Sequence, residues 1–461
     1  MHPDCDVIIV GAGMTGLAAA YYIARAGFSY TILEAADDLG GVWRSHRWHG
    51  ARCDSDFVKY SFSFKPYLSD CCLQPREEIH GYLAAVADEF GMRRHIRLGA
   101  RVLKAAFDTQ HQLWTVTTTT GAFRARFLLN GNGYFADEPY VPTLPGTADF
   151  AGEIVHTSHL DARRSFADKH VVLVGSGATA VCCAPELARV CKSLVMLQRS
   201  PSYIYEIDNR AGWLVRLVQR LHRVGVPGVL RVLRAGLQLK DDLVFLAFRR
   251  FPAAARAFFR RHWLDDVGER AVREHFTPRY NPWEQRIAVA IGFKAQLRRG
   301  AFSIRTAEIE RFERSSIRLK SGEELPCEVC VLATGLNLRF FNFAIEVDAK
   351  PIALEGINFY KGLMLGGIPN YFHPMGSWHS AWTQRLEPNL RLAVRIMRHM
   401  RRRGLGVVAI PRREVPAAPG ITPGYVMRVL STLPRLEGTS DLPSYDNLVV
   451  SRFRAASFSF A

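Results

Sequence analysis

One stretch near the N-terminus constrains the fold more than any other: Val7-Ile8-Ile9-Val10-Gly11-Ala12-Gly13-Met14-Thr15-Gly16. A β-branched apolar run enters a glycine turn, and a helical pattern from Leu17 to Ala26 leaves it. Gly11 permits the tight turn, Gly13 offers no Cβ to an approaching pyrophosphate, and Gly16 lets helix and strand pack closely. The helix N-terminus turns its unpaired N–H groups and the positive end of its dipole toward the phosphates. A second strand, Ser29 to Leu33, ends in Glu34, 23 positions after Gly11, where a carboxylate accepts from ribose hydroxyls.

The same grammar returns later. His170-Val171-Val172-Leu173-Val174 reads as a strand, Gly175-Ser176-Gly177-Ala178-Thr179-Ala180 as its turn, and a helix follows to about Val190. The next strand, Ser193 to Leu197, ends in Gln198-Arg199-Ser200 in place of an acid. Arg199 lies 24 positions after Gly175 and suits a ribose carrying a 2′-phosphate. Two dinucleotide sites in one chain imply two cofactors in contact, FAD in the first and NADPH in the second, with hydride transfer to a flavin. Gly11, Gly13, Gly16 and Glu34 are then candidate FAD contacts. Gly175, Gly177, Thr179, Arg199 and Ser200 are candidates for NADPH. Composition and spacing do not say what the reduced flavin does.

Between the two units, Gly40-Gly41-Val42-Trp43 forms a loop able to pass close to a bound cofactor, and Trp43 could cover a flat ring. Asp54 and Tyr60 stand in an aromatic-rich segment; a loop cap is the alternative for Asp54. Strand patterns between residues 93 and 130, Val102 among them, suggest a β element inserted in the first nucleotide domain. We count Gly41, Trp43, Asp54, Tyr60 and Val102 among the candidate FAD contacts. Pro139 to Gly146 is proline-rich and reads as an extended linker. Val329-Cys330-Val331-Leu332 is a buried strand ending in Ala333-Thr334-Gly335, where chains with two nucleotide folds return to the first domain. Thr334 and Gly335 join the candidate contacts. The expected fold is α/β, with two Rossmann-like dinucleotide-binding domains and a helical insertion. The expected division is 1–145, 150–325 with the insertion at about 211–275, and 326–461.

The net charge of +17 is concentrated. From Trp213 to Arg261, eleven Lys and Arg face only Asp241 and Asp242, a net charge of +9. Leu214, Leu217, Val218 and Leu221 recur there at helical spacing, with Arg216, Arg220 and Arg223 between them. Two readings stay open: a helical subdomain with a solvated basic face, or a helix pair lying on an anionic membrane. No recognised nucleic-acid fold accompanies the charge. No run of 18 uncharged apolar residues provides a membrane span. The first strand begins so early that we expect no signal peptide. Nine scattered cysteines read as reduced thiols of a cytoplasmic protein, with peripheral attachment to a membrane left open. Cys327 and Cys330 fall in a strand-like run, where residues three apart point to opposite faces; we expect neither a redox nor a zinc pair, and no metal.

The segment Phe150-Ala151-Gly152-Glu153-Ile154-Val155-His156-Thr157-Ser158-His159-Leu160-Asp161 resembles the fingerprint F-x-G-x-x-x-H-x-x-x-W-P/D of Baeyer–Villiger and related class B flavoprotein monooxygenases. Tyr280 to Arg286, Leu332 to Asn337 and Thr422-Pro423-Gly424-Tyr425 resemble the ethionamide-activating branch in particular. The resemblance implies an NADPH- and O2-dependent enzyme that forms a C4a-peroxyflavin. That species oxygenates a ketone, or a soft heteroatom in a sulfide or thioamide-like substrate. Arg286 matches the family's active-site arginine and Asp54 the carboxylate that holds it. A fixed cation aimed at a developing negative charge is a common form of electrostatic stabilisation. His156 matches the fingerprint histidine, a hinge between domains, and Arg199 the 2′-phosphate contact. Leu160 departs from the fingerprint's aromatic residue, Gln285 from the lysine common before the arginine, and the segment after Arg286 is shorter than in the branch. Two alternatives come from other classes: an NADPH–flavin oxidoreductase without oxygen transfer, and a catalytically impaired flavoprotein attached to a membrane or partner.

Overall fold

The computed structural model describes residues 2–377, 380–415, 424–437 and 458–460. Thr422 and Pro423 of the last motif above lie outside the described residues.

The first domain starts with β1 (Cys5–Val10), α1 (Met14–Arg25), β2 (Tyr30–Leu33) and β3 (Ile96–Arg97). An antiparallel meander follows: β4 (Val102–Asp108), β5 (Leu113–Thr118) and β6 (Gly121–Asn130). The strands run β4-β5-β6-β1-β2-β3 across the sheet. β6 lies parallel to β1, with Ile8 beside Leu128 and Val10 beside Asn130. Later chain completes the sheet: Ala344–Val347 pairs with β4 and Tyr371–Phe372 with β6, both parallel.

The second domain is built from β7 (Glu153–His156), β8 (Phe166–Val174), α2 (Ala178–Leu187) and β9 (Cys191–Gln198). Three helices interrupt it: α3 (Trp213–Arg223), α4 (Val229–Arg250) and α5 (Pro252–His275). β10 (Ser303–Thr306) and β11 (Val329–Leu332) finish its sheet, in the order β10-β9-β8-β11-β7, all parallel. A parallel sheet covered on both faces needs near-continuous apolar strands, and all four residues of β11 are buried. This corrects the expected boundary. β11 lies between β8 and β7, so the chain leaves the second domain after Leu332 and not at 326. The two crossings between domains, Phe135–Pro139 and Leu336–Leu338, run side by side as an antiparallel pair.

α1 packs against α6 (Thr383–Arg403), with Leu17, Ile23, Leu386, Leu390 and Met397 in one buried cluster. Burying each such side chain stabilises by about 1.5–3 kcal/mol. Cys327 and Cys330 need a second correction. Cys327 precedes β11, both thiols sit in one buried cluster, and they do not point apart. The hydrogen bond that the Cys330 thiol donates to Cys327, together with burial, raises it well above its ordinary value. All nine cysteines are unbridged.

The insertion is keyed onto the first domain through residues 57–63. Arg234 of α4 donates to the carbonyls of Val58 (2.8 Å) and Ser61 (2.7 Å). Glu387 of α6 lies 3.9 Å from Arg234 and accepts from Tyr22 and from both the backbone and hydroxyl of Ser63. Lys59 pairs with Asp241. Among the described residues, no helix is long and apolar enough to cross a membrane.

Candidate active site

The first glycine turn has the geometry its sequence requires. Gly11 has φ +90°, and a Cβ on Gly16 would lie 1.8 Å from the Gly11 carbonyl oxygen. Gly13 caps α1 in extended conformation, 3.5 Å from the Cα of Gly41 measured from where its Cβ would be. Gly41 itself has φ +56°. Two bare glycine backbones thus face each other at a helix N-terminus, the cradle that a pyrophosphate fits. Glu34 is buried at the same turn, accepting from the N–H groups of Ala12 (2.7 Å) and Ala36 (2.8 Å). Those bonds aim its carboxylate and leave further lone pairs for hydroxyls. Val102 is buried at the start of β4, two residues after Ala100, whose N–H bonds the Glu34 carbonyl.

The loop after Gly41 brings Trp43 to Tyr60: the indole N–H donates to the phenol oxygen at 2.9 Å, with the rings edge to face. Burial, with smaller effects from Cys53 and Asp54, holds the Tyr60 phenol well above its ordinary pKa, so it stays neutral. Thr334 and Gly335 lie on the second crossing and touch the first: the Thr334 hydroxyl donates to the Tyr140 carbonyl, and the Tyr140 N–H donates to that of Gly335. His156 holds the same junction. Its Nδ1 accepts from the Ser158 N–H, so Nε2 carries the proton and donates to the Gly335 carbonyl at 3.0 Å. Burial lowers its pKa to about 4.

At the second turn, Gly175 has φ +146°, and a Cβ there would come within 2.5 Å of the Ala333 carbonyl. Gly177 caps α2, with open space where its Cβ would point. Thr179 follows in the first turn of α2. Gln198 is buried, bonded to His275 O and Thr306 Oγ1 at 2.9 Å, whereas Arg199 and Ser200 are exposed beyond the end of β9. The donor set fits a phosphorylated dinucleotide: a bare helix N-terminus and a guanidinium at the strand end.

Arg286 and Asp54 come from different domains and meet. Arg286 Nη2 lies 2.7 Å from both Asp54 oxygens. Trp283, three residues earlier, adopts φ +76°, a left-handed conformation that a bulky residue rarely takes. It is held there by packing: its ring meets Phe245 (5.6 Å) and Phe248 (6.2 Å) of α4. Beside the pair opens a cavity of about 530 Å³. Asp54 and Arg286 line it together with Phe245, Phe248, Phe259 and Trp283. Asp56, Lys59, Lys240, Asp241 and Asp242 line it as well, so an aromatic wall stands beside a charged one, and a concave site with apolar walls and placed polar groups is the usual form of a small-molecule site.

Residues 8–221 match the family model described as pyridine nucleotide-disulphide oxidoreductase. The FAD-containing monooxygenase EthA of Mycobacterium tuberculosis is 35% identical over 94% of this chain and 92% of its own length. The chain belongs to the class B flavin monooxygenases. A probable FAD-binding monooxygenase, AlmA of an Acinetobacter species, is 30% identical over 94% of this chain and 90% of its own. In fold, the chain is similar to an oxidized steroid monooxygenase bound to NADP (TM-score 0.77, 23% identity, 99% of each chain). It is also similar to an open form of cyclohexanone monooxygenase (TM-score 0.79, 20% identity, all of each chain).

This monooxygenase is therefore an FAD- and NADPH-dependent oxidoreductase. FAD reduced by NADPH supplies the oxygen chemistry; the chain supplies binding, orientation and electrostatics. The sequence concealed one part of the candidate site. Phe245, Phe248, Phe258 and Phe259 make the cavity wall, yet they belong to the basic insertion. Their spacing, Phe245 to Phe248 on one helical face, was the available signal, and it reads equally as ordinary core.

Proposed function

We propose that this monooxygenase oxygenates an apolar ketone, or the sulfur of a sulfide or thioamide-like compound, bound in the cavity beside Arg286. The observation that carries the reading is the Arg286–Asp54 pair at the edge of an aromatic-walled space. A guanidinium is a permanent cation, and Arg286 is placed to stabilise anionic oxygen. Asp54 is the positioning residue: it holds the guanidinium in one place so that little reorganisation is needed as charge develops. The Phe and Trp wall holds an apolar substrate and excludes water. Gly11, Gly13, Gly16, Glu34, Gly41, Trp43, Tyr60, Val102, Thr334 and Gly335 frame the FAD, and Gly175, Gly177, Thr179, Arg199 and Ser200 take the NADPH, with Arg199 on the 2′-phosphate. His156 holds the two crossings together as a hinge. We place the enzyme in the cytoplasm, attached peripherally to a membrane through its basic insertion.

The test is to incubate purified enzyme with NADPH, isotopically labelled O2 and a panel of ketones and sulfides. Label in an ester or sulfoxide is the expected result. NADPH consumption with peroxide as the sole product, across the whole panel, would refute oxygen transfer.

A further inference from the structure

We propose that the cavity beside Arg286 is filled from a lipid bilayer: α3 and the outer face of α4 lie on an anionic membrane, and apolar substrate passes between α4 and α5 without crossing water. This deepens the reading of the cavity as the substrate site and rests on it.

The helix α3 is inside out. Trp213, Leu214, Leu217 and Leu221 fall on one helical face and are all exposed, Trp213 at 71%. The one buried residue of α3 is Gln219, whose amide donates to the Ser69 carbonyl at 3.0 Å. A helix covering a core in water has the opposite arrangement. On α4, Val232, Leu239, Leu243 and Leu246 form a second stripe, exposed at 74, 53, 57 and 44%. The opposite face of α4 carries the buried Leu233 and Phe245. Stripes of this kind mark an interaction surface.

Charge identifies the partner. Arg216, Arg220 and Arg223 border the α3 stripe and Arg231 and Arg250 the α4 stripe, all exposed. A second copy of this chain would set two such clusters against each other, and like charges brought face to face cost several kcal/mol. An anionic lipid surface meets both demands, taking the apolar side chains among its tails and the guanidinium groups among its headgroups.

Continuity with the cavity supplies the route. Val244 of α4 and Phe258 of α5 line the cavity, yet are 39 and 45% exposed. They form an apolar rim between the outer stripe and the wall of Phe248, Phe259 and Trp283. In lipid that rim becomes a continuous path from the bilayer to Arg286.

The holoenzyme is tested by flotation with vesicles of phosphatidylglycerol in phosphatidylcholine and with pure phosphatidylcholine. Delivery is read as quenching of Trp283 by bromododecane, taken as the difference from a Trp283→Phe control. The expected result is flotation on anionic vesicles, weakened by salt, and quenching from those vesicles faster than from phosphatidylcholine by roughly tenfold or more, following the amount of bound protein. Replacing Arg216, Arg220 and Arg223 by alanine lowers vesicle partition on the order of 100-fold, since each basic residue near the surface contributes about fivefold. Trp213→Ser with Leu217→Ser abolishes rapid delivery but leaves quenching by bromododecane added in water unchanged. These are exposed positions, and bound flavin reports that the variants fold. Absence of flotation at low salt, or self-association in its place, overturns the proposal. So does flotation with equal delivery from both vesicle types. Absence of Trp283 quenching by the aqueous probe strikes the substrate-site reading instead.

Discussion

Arg286 and Asp54 are 232 positions apart, and the guanidinium Nη2 sits 2.7 Å from both carboxylate oxygens. One partner comes from the loop that follows the first glycine unit and the other from the second domain. The pair therefore forms only when the two domains are seated together. Arg286 is 44% exposed and Asp54 only 19%, and both line the cavity.

Arg286→Ala should lower the rate of product oxygenation on the order of 100-fold, by analogy with removing a single oxyanion donor. NADPH oxidation continues and peroxide takes the place of product. Asp54→Asn gives a milder loss, because it loosens the guanidinium without removing it. The ratio of product to NADPH consumed checks both; an unchanged ratio in Arg286→Ala defeats the assignment.

Two glycines of the first turn should fail in different ways. Gly16→Ala puts a methyl group 1.8 Å from the Gly11 carbonyl, and the clash with backbone costs about 1–3 kcal/mol or more. Gly13→Ala meets only an ordinary contact with Gly41, so the chain folds. What it obstructs is the pyrophosphate. Visible absorbance and thermal unfolding separate them: Gly13→Ala gives folded, colourless protein, and Gly16→Ala gives unstable protein.

Arg199→Ala should reduce the preference for NADPH over NADH by roughly 10- to 100-fold, the equivalent of one charge-assisted contact of about 1.5–3 kcal/mol. The neighbouring Gln198 is buried in the structure of β9 and is untouched by the change. Steady-state kcat/KM with each coenzyme decides; an unaltered ratio means that the phosphate is held elsewhere.

Acid should destabilise the fold through buried histidines. Burial lowers His156 and His262 to about 4 and His373 to about 3, from an ordinary value of 6.5. Between 6.5 and those values the unfolded chain takes up protons that the native chain refuses. Stability is therefore full above pH 6.5 and falls as the pH drops toward 4. Melting temperature against pH shows the slope. His156→Gln, which retains a donor for Gly335 and does not titrate, makes that slope shallower.

The sequence by itself determined the two nucleotide units down to individual turn residues. A strand, a glycine turn and a helix are local: Gly11 at φ +90° and Gly16 against the Gly11 carbonyl are steric demands settled within a few residues. The residue ending the second strand, Glu34 or Arg199, sits at a distance set by helix and strand length. Tertiary structure decided what local rules cannot. β11 reads as a generic buried strand, and only pairing with β7 and β8 assigns it to the second sheet. Cys327 and Cys330 meet because the chain enters β11 out of strand geometry. The Phe residues of α4 and α5 became a cavity wall through the docking of Arg234 and Lys59. Helical periodicity marks a face as apolar, but which surface that face meets depends on contacts between units far apart in sequence.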